Sequence, residues 1–534
     1  MLLAGLAGLA STGGLVAGCS GGGTPGQPNG AGTAPADTAN PSTAPADTAR
    51  PSGSPTASQP ESWDTLRGKL TGTLVRPGDA SYDTARALID PAFDTIRPQG
   101  IAYAASPADV AAAVGFAAAT GVPLTARSGG HSYAGYSSTS GLIVDVTRMD
   151  GVSVDGNGIA TVGAGARLLK VYTDLAGAGR SIGGGSCPTV GISGLTLGGG
   201  LGVLGRAYGL TSDQLTGADV VLASGELVRT DATHEPDLFW ALRGGGGGNF
   251  GIVTAFRFAT RAAPAVTLFS VRWPWASAAE VLTGWQRWIT GQLGTMPDTL
   301  WSTLVAGAVN GSTPVVRVSG VLIGTPAGLA GPLADLKAAV AAAPASSSIT
   351  QHDYLTAMRI EGGCSATGTC GSTAGVRAGA ARSGQHAASG ILTAPLSAAG
   401  IGVLLRQVES RQANPLATAS GGIILDAWGG QIAKVGAADT AFVHRSAIAS
   451  AQYFAGYPAG ASARVVAGAR TWVLDTATAA APYLSGQAYQ NYIDPDLKDW
   501  AQAYYGANLP RLKTVKGHYD PGNLFHFAQS IPLS

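Results

Sequence analysis

The chain has 534 residues, a length that supports several domains and a large hydrophobic core. Glycine provides 79 of these residues, about twice the share usual in globular proteins, while charged residues make up only 12%. A hydrophobic content of 45% excludes a largely disordered chain, and a net charge of +1 argues against a nucleic-acid partner.

The N-terminus, residues 1–19, is similar to a secretory leader ending in a bacterial lipobox. Residues 1–18 are small and apolar but too few for a membrane-spanning helix, which needs about 20 apolar residues. Cys19 follows Val16-Ala17-Gly18, and in a lipobox this cysteine is lipidated. The alternative is an ordinary signal peptide that is discarded with Cys19. In both cases we expect an extracytoplasmic protein, with membrane contact only through a lipid on Cys19.

A low-complexity segment, residues 20–60, follows this leader. It consists mainly of Gly, Pro, Thr, Ser and Ala, and the sequence TAPADTA occurs at 33–39 and again at 43–49. Such a composition buries too little apolar surface to offset the entropy of ordering. We therefore predict a disordered linker to a folded body that begins near residue 61.

Short α/β units are predicted for residues 98–150. Ser106 is the expected N-cap and Gly121 the expected C-cap of an apolar helix that starts at Pro107. Strands are expected at 122–126 and 142–146. The loop that follows the first strand consists of Arg127, Ser128, Gly129, Gly130, His131 and Ser132.

The largest glycine cluster covers residues 183–215. It contains a literal GxGxxG at Gly200, Gly202 and Gly205, but no convincing strand precedes it, which argues against a Rossmann site. Clustered glycines do let backbone N–H groups approach a phosphate closely. The two glycine loops near 128 and 190 would thus suit the two ends of a dinucleotide. A third run, 243–248, is either a turn before the strand IVTAFRF or a cofactor contact.

Three later segments, LFSVRWPW, PVVRVSGVLIG and GGIILDAWGG, read as strands separated by helical runs. They predict an antiparallel sheet backed by helices and therefore an α+β fold.

Separated motifs in the order of a known family now become informative. They are Arg127–Tyr133, Gly185–Gly191 with its following glycines, Tyr489-Gln490-Asn491-Tyr492, and Lys516–Phe525. The chain resembles the berberine-bridge-enzyme-like FAD-linked oxidases, which have the vanillyl-alcohol-oxidase or PCMH-type FAD-binding fold. The resemblance implies an FAD-binding domain at 61–262, a substrate domain at 263–470, and a C-terminal segment at 471–534 that completes the FAD domain.

The resemblance also implies how the cofactor is held. His131 matches the histidine joined to the flavin 8α-methyl carbon, and Cys187 matches the cysteine joined to C6, so that FAD would be bicovalent. Asn491 would contact the flavin or hold its segment against it. The other expected cofactor-binding residues are Arg127, Ser128, Gly129, Gly130, Ser132, Val190, Gly191, Gly194, Gly199, Gly200, Gly202, Gly205, Gly209, Leu210, Gly251, Ile252 and Val253.

The implied reaction is hydride transfer to flavin N5 from an alcohol or a sugar lactol. Tyr492 matches the family's tyrosine base, and Tyr489 is the alternative within the motif. A tyrosine pKa near 10 would have to fall by about 3 units, roughly 4 kcal/mol, to which the flavin dipole and a nearby cation would contribute. Asp426 is expected to assist this base or to bind substrate, with a turn or capping role as the alternative.

The electron acceptor follows from Val190, which matches a position over the flavin where a small side chain admits O2. The resemblance therefore implies an oxidase that produces H2O2. The alternatives are a dehydrogenase with another acceptor and a nonenzymatic envelope binding protein. We expect a monomer whose partners are a small-molecule substrate and O2. Cys364 and Cys370 are six residues apart, and they are expected either as a disulfide or as two free thiols.

Overall fold

The computed structural model describes residues 61–294, 296–365 and 382–533. The predicted leader and linker, residues 1–60, and Cys370 lie outside these ranges. Of the helices in the described ranges, none has the length and apolar character needed to cross a membrane.

The part of the chain up to residue 262 contains short strands and helices. The strands are β1 (Thr73–Val75), β2 (Gly100–Tyr103), β3 (Leu124–Arg127), β4 (Leu142–Asp145), β5 (Val152–Val154), β6 (Ile159–Gly163), β7 (Arg180–Ser181), β8 (Leu215–Val221), β9 (Leu227–Thr230), β10 (Ile252–Ala259) and β11 (Arg261–Ala262). The helices are α1 (Trp63–Lys69), α2 (Tyr82–Arg86), α3 (Pro107–Thr120), α4 (Leu168–Gly177), α5 (Ile192–Leu197), α6 (Gly205–Tyr208) and α7 (Pro236–Leu242).

These strands form two main sheets. The first has the order β1-β2-β4-β3, in which β4 runs parallel to both β2 and β3. The second is antiparallel, with the order β5-β6-β10-β8-β9. Helix α3 confirms the predicted caps, because Ser106 accepts a hydrogen bond from the Asp109 N–H and Gly121 adopts a φ of 69°.

The middle of the chain forms a larger α+β layer. Its strands are β12 (Ala265–Trp273), β13 (Leu300–Gly307), β14 (Val315–Ile323), β15 (Ser346–Asp353), β16 (Ser383–Leu392), β17 (Gly421–Ala427) and β18 (Ala449–Pro458). Its helices are α8 (Ala278–Ile289), α9 (Pro326–Ala338), α10 (Tyr354–Glu361), α11 (Ala398–Ala413) and α12 (Ala463–Ala480). The strands pair in the order β15-β12-β14-β13-β17-β18-β16, with every pairing antiparallel, which confirms the predicted sheet.

The seven-stranded sheet has two chemically different faces, as the period-2 alternation of strands requires. The apolar face carries Val271, Val318, Leu304, Leu425 and Ala451, and it packs against α8, α11 and α12. The residue adjacent to each of these in its strand lies on the opposite face. Five such residues pair in register across neighbouring strands, in the order Ser270, Ser319, Thr303, Asp426 and Ser450. We call this second face the polar face.

The C-terminal segment, with α13 (Trp500–Tyr505) and α14 (Leu509–Tyr519), packs against the first part of the chain. The buried ammonium group of Lys516 pairs with Asp520 at 2.6 Å and donates to the Asn249 carbonyl at 2.8 Å. Gln490 donates to the Gly244 carbonyl at 2.6 Å. These contacts hold residues 489–492 beside the glycine loops, while the exact domain boundaries stay a prediction.

Candidate functional site

A single cavity lies where the two glycine loops, the start of β10 and residues 489–493 meet. Most of the predicted site residues line it: Arg127, Ser128, Gly129, Gly130, His131, Ser132, Cys187, Val190, Gly191, Gly194, Gly251, Ile252, Val253, Tyr489, Asn491 and Tyr492.

The two glycine loops touch each other through their backbones. A Cβ atom on Gly129 would overlap the backbone nitrogen of Gly191, and a Cβ on Gly191 would overlap the nitrogen of Gly129. The neighbouring Ser128 hydroxyl donates to the Ala164 carbonyl at 2.8 Å, which fixes the first loop. Glycine is therefore required at both positions for the loops to meet.

The remaining predicted residues do not line this cavity directly, and their contact with a cofactor stays a prediction. Gly202 lies so close to the Gly184 carbonyl that any Cβ would overlap it. Leu210 is fully buried in an apolar cluster. The six residues in this group are Gly199, Gly200, Gly202, Gly205, Gly209 and Leu210, and α5 rather than a strand precedes the GxGxxG.

His131 stands at the edge of the first glycine loop. Its Nε2 lies 2.8 Å from the Thr189 hydroxyl of the second loop. Burial and the positive charge of Arg167 lower the pKa of His131 to about 4. The ring is therefore neutral at physiological pH and carries a nitrogen lone pair that can form a covalent bond.

Cys187 lies in the second loop and also lines the cavity. In this structure Cys187 and Cys364 are each disulfide-bonded. A sulfur atom held in a disulfide cannot at the same time be bonded to a flavin carbon, so attachment at Cys187 requires that this disulfide be opened. Cys370 lies outside the described residues, and the predicted Cys364–Cys370 pairing stays a prediction.

The cavity walls contain buried polar atoms that a ligand would satisfy. Arg127 forms a fully buried ion pair with Asp145 at 2.6 Å and donates through Nη2 to the Ala85 carbonyl, but its Nη1 has no hydrogen-bond partner. The Oε1 atom of Gln490 is also buried and unpartnered. Because buried polar groups are normally paired, these orphaned atoms and the closely packed glycine backbones fit a large polar cofactor such as FAD.

Tyr489 is an anchor rather than a free hydroxyl. Its Oη accepts hydrogen bonds from the backbone N–H groups of Gly200 and Leu201, at 3.1 and 3.0 Å, and from Asn491 Nδ2 at 2.9 Å. Asn491 also donates to the Leu195 carbonyl at 2.9 Å. The two side chains therefore fasten the C-terminal segment to α5 and to the glycine-rich turn that follows it.

Tyr492 has a different environment. Its ring stacks on Tyr133 at a centroid distance of 5.9 Å and meets Tyr489 edge-on at 5.0 Å. Within the described part of the chain its hydroxyl has no hydrogen-bond partner. Burial, followed by the charge of Asp426, raises the pKa of Tyr492 well above its usual value. The direction is opposite to the expected lowering, because the neighbouring side chains contribute negative and neutral groups rather than a cation.

Asp426 is the ionisable group whose charge acts on Tyr492. It is buried in β17 opposite Thr303 of β13. Burial raises the pKa of Asp426 to about 6, and the nearby Thr303 hydroxyl offsets part of this shift. Its charge acts on both Tyr492 and Tyr133. The structure therefore favours a group that titrates close to neutrality over a simple turn residue.

Two residues near Tyr492 were not singled out from the sequence. Gln452 donates to the Tyr133 hydroxyl at 3.2 Å. Tyr133 stood inside a quoted motif, so its position was available as a signal. Gln452 lies in a strand without any motif, and only the pairing of β18 with β17 brings it to the polar face.

Known families match both ends of this site. Residues 98–231 match the FAD binding domain family, and residues 488–532 match the family described as berberine and berberine like. The chain is 31% identical over 477 residues to an uncharacterized FAD-linked oxidoreductase, YgaK, of Bacillus subtilis, covering 87% of this chain and 97% of that protein.

Two further relatives extend the comparison. The xylooligosaccharide oxidase of Thermothelomyces thermophilus is 34% identical over 461 residues, covering 81% of this chain and 87% of that protein. The structure of BBE-like 1 from Physcomitrella patens is similar with a TM-score of 0.79 at 29% identity, covering 88% of this chain and 99% of that chain. These likenesses extend over nearly the whole length of the relatives.

Proposed function

Because the chain belongs to the berberine-bridge-enzyme-like FAD-linked oxidases, we propose that it oxidises a saccharide at an alcohol or lactol carbon. The observation that carries this proposal is that Tyr492, with its unengaged hydroxyl, lines a cavity built by glycine loops and is close enough to the titratable Asp426 for the charge of that group to act on it. The relatives named as xylooligosaccharide and chitooligosaccharide oxidases support a carbohydrate substrate.

FAD is the cofactor that the chain would hold, and when bound it accepts a hydride and passes the electrons to O2. We propose that His131 forms one covalent link to it, because the ring is neutral and lines the cavity. Cys187 would form the second link after an external thiol reduces its disulfide to two thiols. This C–S bond would replace a C–H bond of the cofactor, with the protons released and the electron pair passed to O2. Arg127 Nη1 and the backbone N–H groups of the glycine loops would bind the polar part of the cofactor.

The chain's own contribution to the reaction is proton removal from the substrate hydroxyl. Because Tyr492 stays protonated at neutral pH, its Oη would accept the substrate proton while passing its own toward Asp426. Asp426, with a pKa of about 6, is an effective acceptor near pH 7. The Tyr489 hydroxyl oxygen accepts hydrogen bonds from three donors, so Tyr489 would hold residues 489–492 in place rather than act as the base.

Oxygen is the acceptor that we propose, with H2O2 as the product. Val190 lines the cavity, and a side chain of this size would leave room for O2 to approach the cofactor. An extracytoplasmic location follows from the leader-like N-terminus and is part of the same proposal, because an exported oxidase can meet polymeric sugars outside the cell.

Anaerobic mixing of the purified flavoprotein with neutral disaccharides tests this function. We expect the flavin absorbance to bleach with a saccharide and to recover when air is admitted, with stoichiometric H2O2. Flavin that stays oxidised with every alcohol or lactol tested would contradict the proposal. Flavin that bleaches but remains reduced in air would instead identify a dehydrogenase. In the double variant His131→Ala/Cys187→Ser, acid precipitation should release the FAD that the parent and the variants with only one of these substitutions retain.

A further inference from the structure

Arg317 is a buried cation on the polar face of the seven-stranded sheet. It lies in β14, two residues before Ser319, and it pairs with Val305 of β13 and Arg272 of β12. Residues two apart in a strand point to the same side, so Arg317 shares the face that carries Thr303 and Asp426. Only 8% of Arg317 is exposed.

This guanidinium lacks the partners that other buried arginines have. Arg127 and Arg445 form ion pairs with aspartates, and Arg206 and Arg411 donate to backbone carbonyls. Throughout the described ranges, Arg317 makes neither an ion pair nor a side-chain hydrogen bond, and its Nε is buried without a partner. Burying an unpaired cation is costly, so a ligand that supplies the missing acceptor would bind favourably here.

A carboxyl group and a second cation complete the surroundings. Glu361, the last residue of α10, acts on Arg317 electrostatically without forming an ion pair with it, and the charge of Arg272 acts on it as well. Burial raises the pKa of Glu361 to about 7, with Arg317 opposing the shift. Near neutrality Glu361 therefore balances at most one of the two guanidinium charges, and the cluster of Arg272, Arg317 and Glu361 remains positive.

The cluster lies close to the second glycine loop, the loop that contains Cys187. A Cβ on Gly362, which follows Glu361, would stand 2.9 Å from the Ser186 carbonyl and 3.2 Å from Pro188. Asp426 lies in β17 and Arg317 in β14, two strands away and displaced by two residues along the strand. This separation places their Cα atoms about 12 Å apart. A single sugar ring beside Asp426 would not reach Arg317, whereas the ring linked to it would.

We propose that Arg317, assisted by Arg272, binds the carboxylate of a uronic acid on the sugar ring next to the one that is oxidised. The inference rests on the proposed saccharide oxidation and names the substrate class more closely. A guanidinium offers two parallel N–H groups in one plane, which match the two oxygens of a carboxylate. A neutral sugar would leave the positive charge of this cluster unbalanced.

The test compares xylobiose with a disaccharide of glucuronic acid linked to xylose, using the parent holoenzyme and Arg317→Gln. For the parent we expect kcat/KM to be about tenfold higher with the acidic sugar, because one charged hydrogen-bonded contact is gained. Arg317→Gln should bring the ratio of the two values close to one, and Arg317→Lys should restore only part of it. Equal values in the parent, or a ratio unchanged by Arg317→Gln, would overturn the subsite.

A second variant keeps the test decisive if Arg317→Gln fails to fold. Glu361→Gln removes the competing carboxyl group and should raise the preference for the acidic sugar, and a lowered preference would contradict the proposal. Calorimetric binding of both sugars to the holoenzyme separates this inference from the proposed function. Preferential binding of the acidic sugar without turnover would refute the oxidation alone, whereas equal binding would refute the subsite alone.

Discussion

At the scale of single residues, the two tyrosines of the C-terminal motif differ because the Tyr489 hydroxyl is hydrogen-bonded, whereas the Tyr492 hydroxyl has no partner among the described residues. Tyr489 Oη accepts from three donors and holds the glycine-rich turn that follows α5. Tyr492 has a raised pKa and lines the cavity, and in the proposed reaction Asp426 is the group that would receive its proton. The sequence motif named both tyrosines and left their roles open.

Replacing Tyr492 with Phe should slow flavin reduction by about 10²-fold or more, because a positioned proton-transfer group contributes about 10²–10⁴-fold. FAD content should not change, since the phenyl ring can still stack on Tyr133. Stopped-flow absorbance under anaerobic conditions measures the effect. Tyr489→Phe is the matched control, and it should lower the thermal midpoint of unfolding by leaving three donors without an acceptor. Equal slowing in both variants would reassign the base.

The pH dependence of flavin reduction should report Asp426. Its pKa of about 6 means that the carboxylate form is lost as the pH falls below 6, so the rate should drop about tenfold per pH unit there and level off above. The raised pKa also means that the native state binds this proton more tightly than the unfolded chain, so folding stability from this group declines as the pH rises through 6. Asp426→Asn should remove the acidic limb of the rate profile. An unchanged limb would place the titrating group elsewhere.

At the scale of elements, the site depends on loops that meet without side chains between them. The segment around Gly129 follows β3, and the segment around Gly191 precedes α5. The backbones of these two segments are in direct contact. Glycines elsewhere in the second cluster have a different use, because Gly200 and Gly202 lie against Thr211 and Gly184 inside the fold. Local sequence alone does not separate these two uses.

The substitution Gly191→Ala should prevent the two loops from meeting, because its Cβ would overlap the Gly129 nitrogen and the Ser128 side chain. We expect loss of FAD retention and destabilisation of about 1–3 kcal/mol, the range typical of overpacking. Gly115→Ala is the control, since no atom lies within 4 Å of a Cβ there and the residue is inside α3. It should stabilise by up to about 1 kcal/mol. Retained FAD and unchanged melting in Gly191→Ala would contradict the contact.

At the scale of the whole molecule, buried charges join the cofactor-binding part of the chain to the large sheet. Asp213 pairs with Arg445 through two contacts, at 2.7 and 2.8 Å, and both side chains are almost fully buried. Arg206 donates to the Leu300 carbonyl at 2.8 Å. These contacts connect residues more than 90 positions apart, and they join the part of the chain before residue 262 to the layer that contains the seven-stranded sheet.

Breaking the Asp213–Arg445 pair by Asp213→Asn should cost about 3–5 kcal/mol, because it leaves a buried guanidinium without its counter-charge. Urea unfolding followed by tryptophan fluorescence gives the free energy of unfolding. The exposed pair of Arg470 and Asp496 provides the comparison, and Asp496→Asn should change stability by less than about 1 kcal/mol. Similar losses in the two variants would show that the buried pair does not join the regions energetically.

The sequence by itself determined the local features of this protein. Helix α3 with its Ser106 and Gly121 caps, the strands that became β12, β14 and β17, and the family motifs all depend on residues close together in the chain. The fold class followed from these short-range patterns, because caps and alternation act over a few residues, and the enzyme family followed from the resemblance of the motifs to those of known oxidases.

Only the tertiary structure decided which groups face each other. The register of β17 against β13 puts Asp426 beside Thr303, although 123 positions separate them, and the neighbouring pairing brings Arg317 to the same face. The bonding of Cys187 and the raised pKa of Tyr492 likewise depend on burial and on neighbours distant in the chain. Strand register is set by packing over the whole sheet. A shift of β17 or β14 by one residue would turn Asp426 or Arg317 to the other face of the sheet.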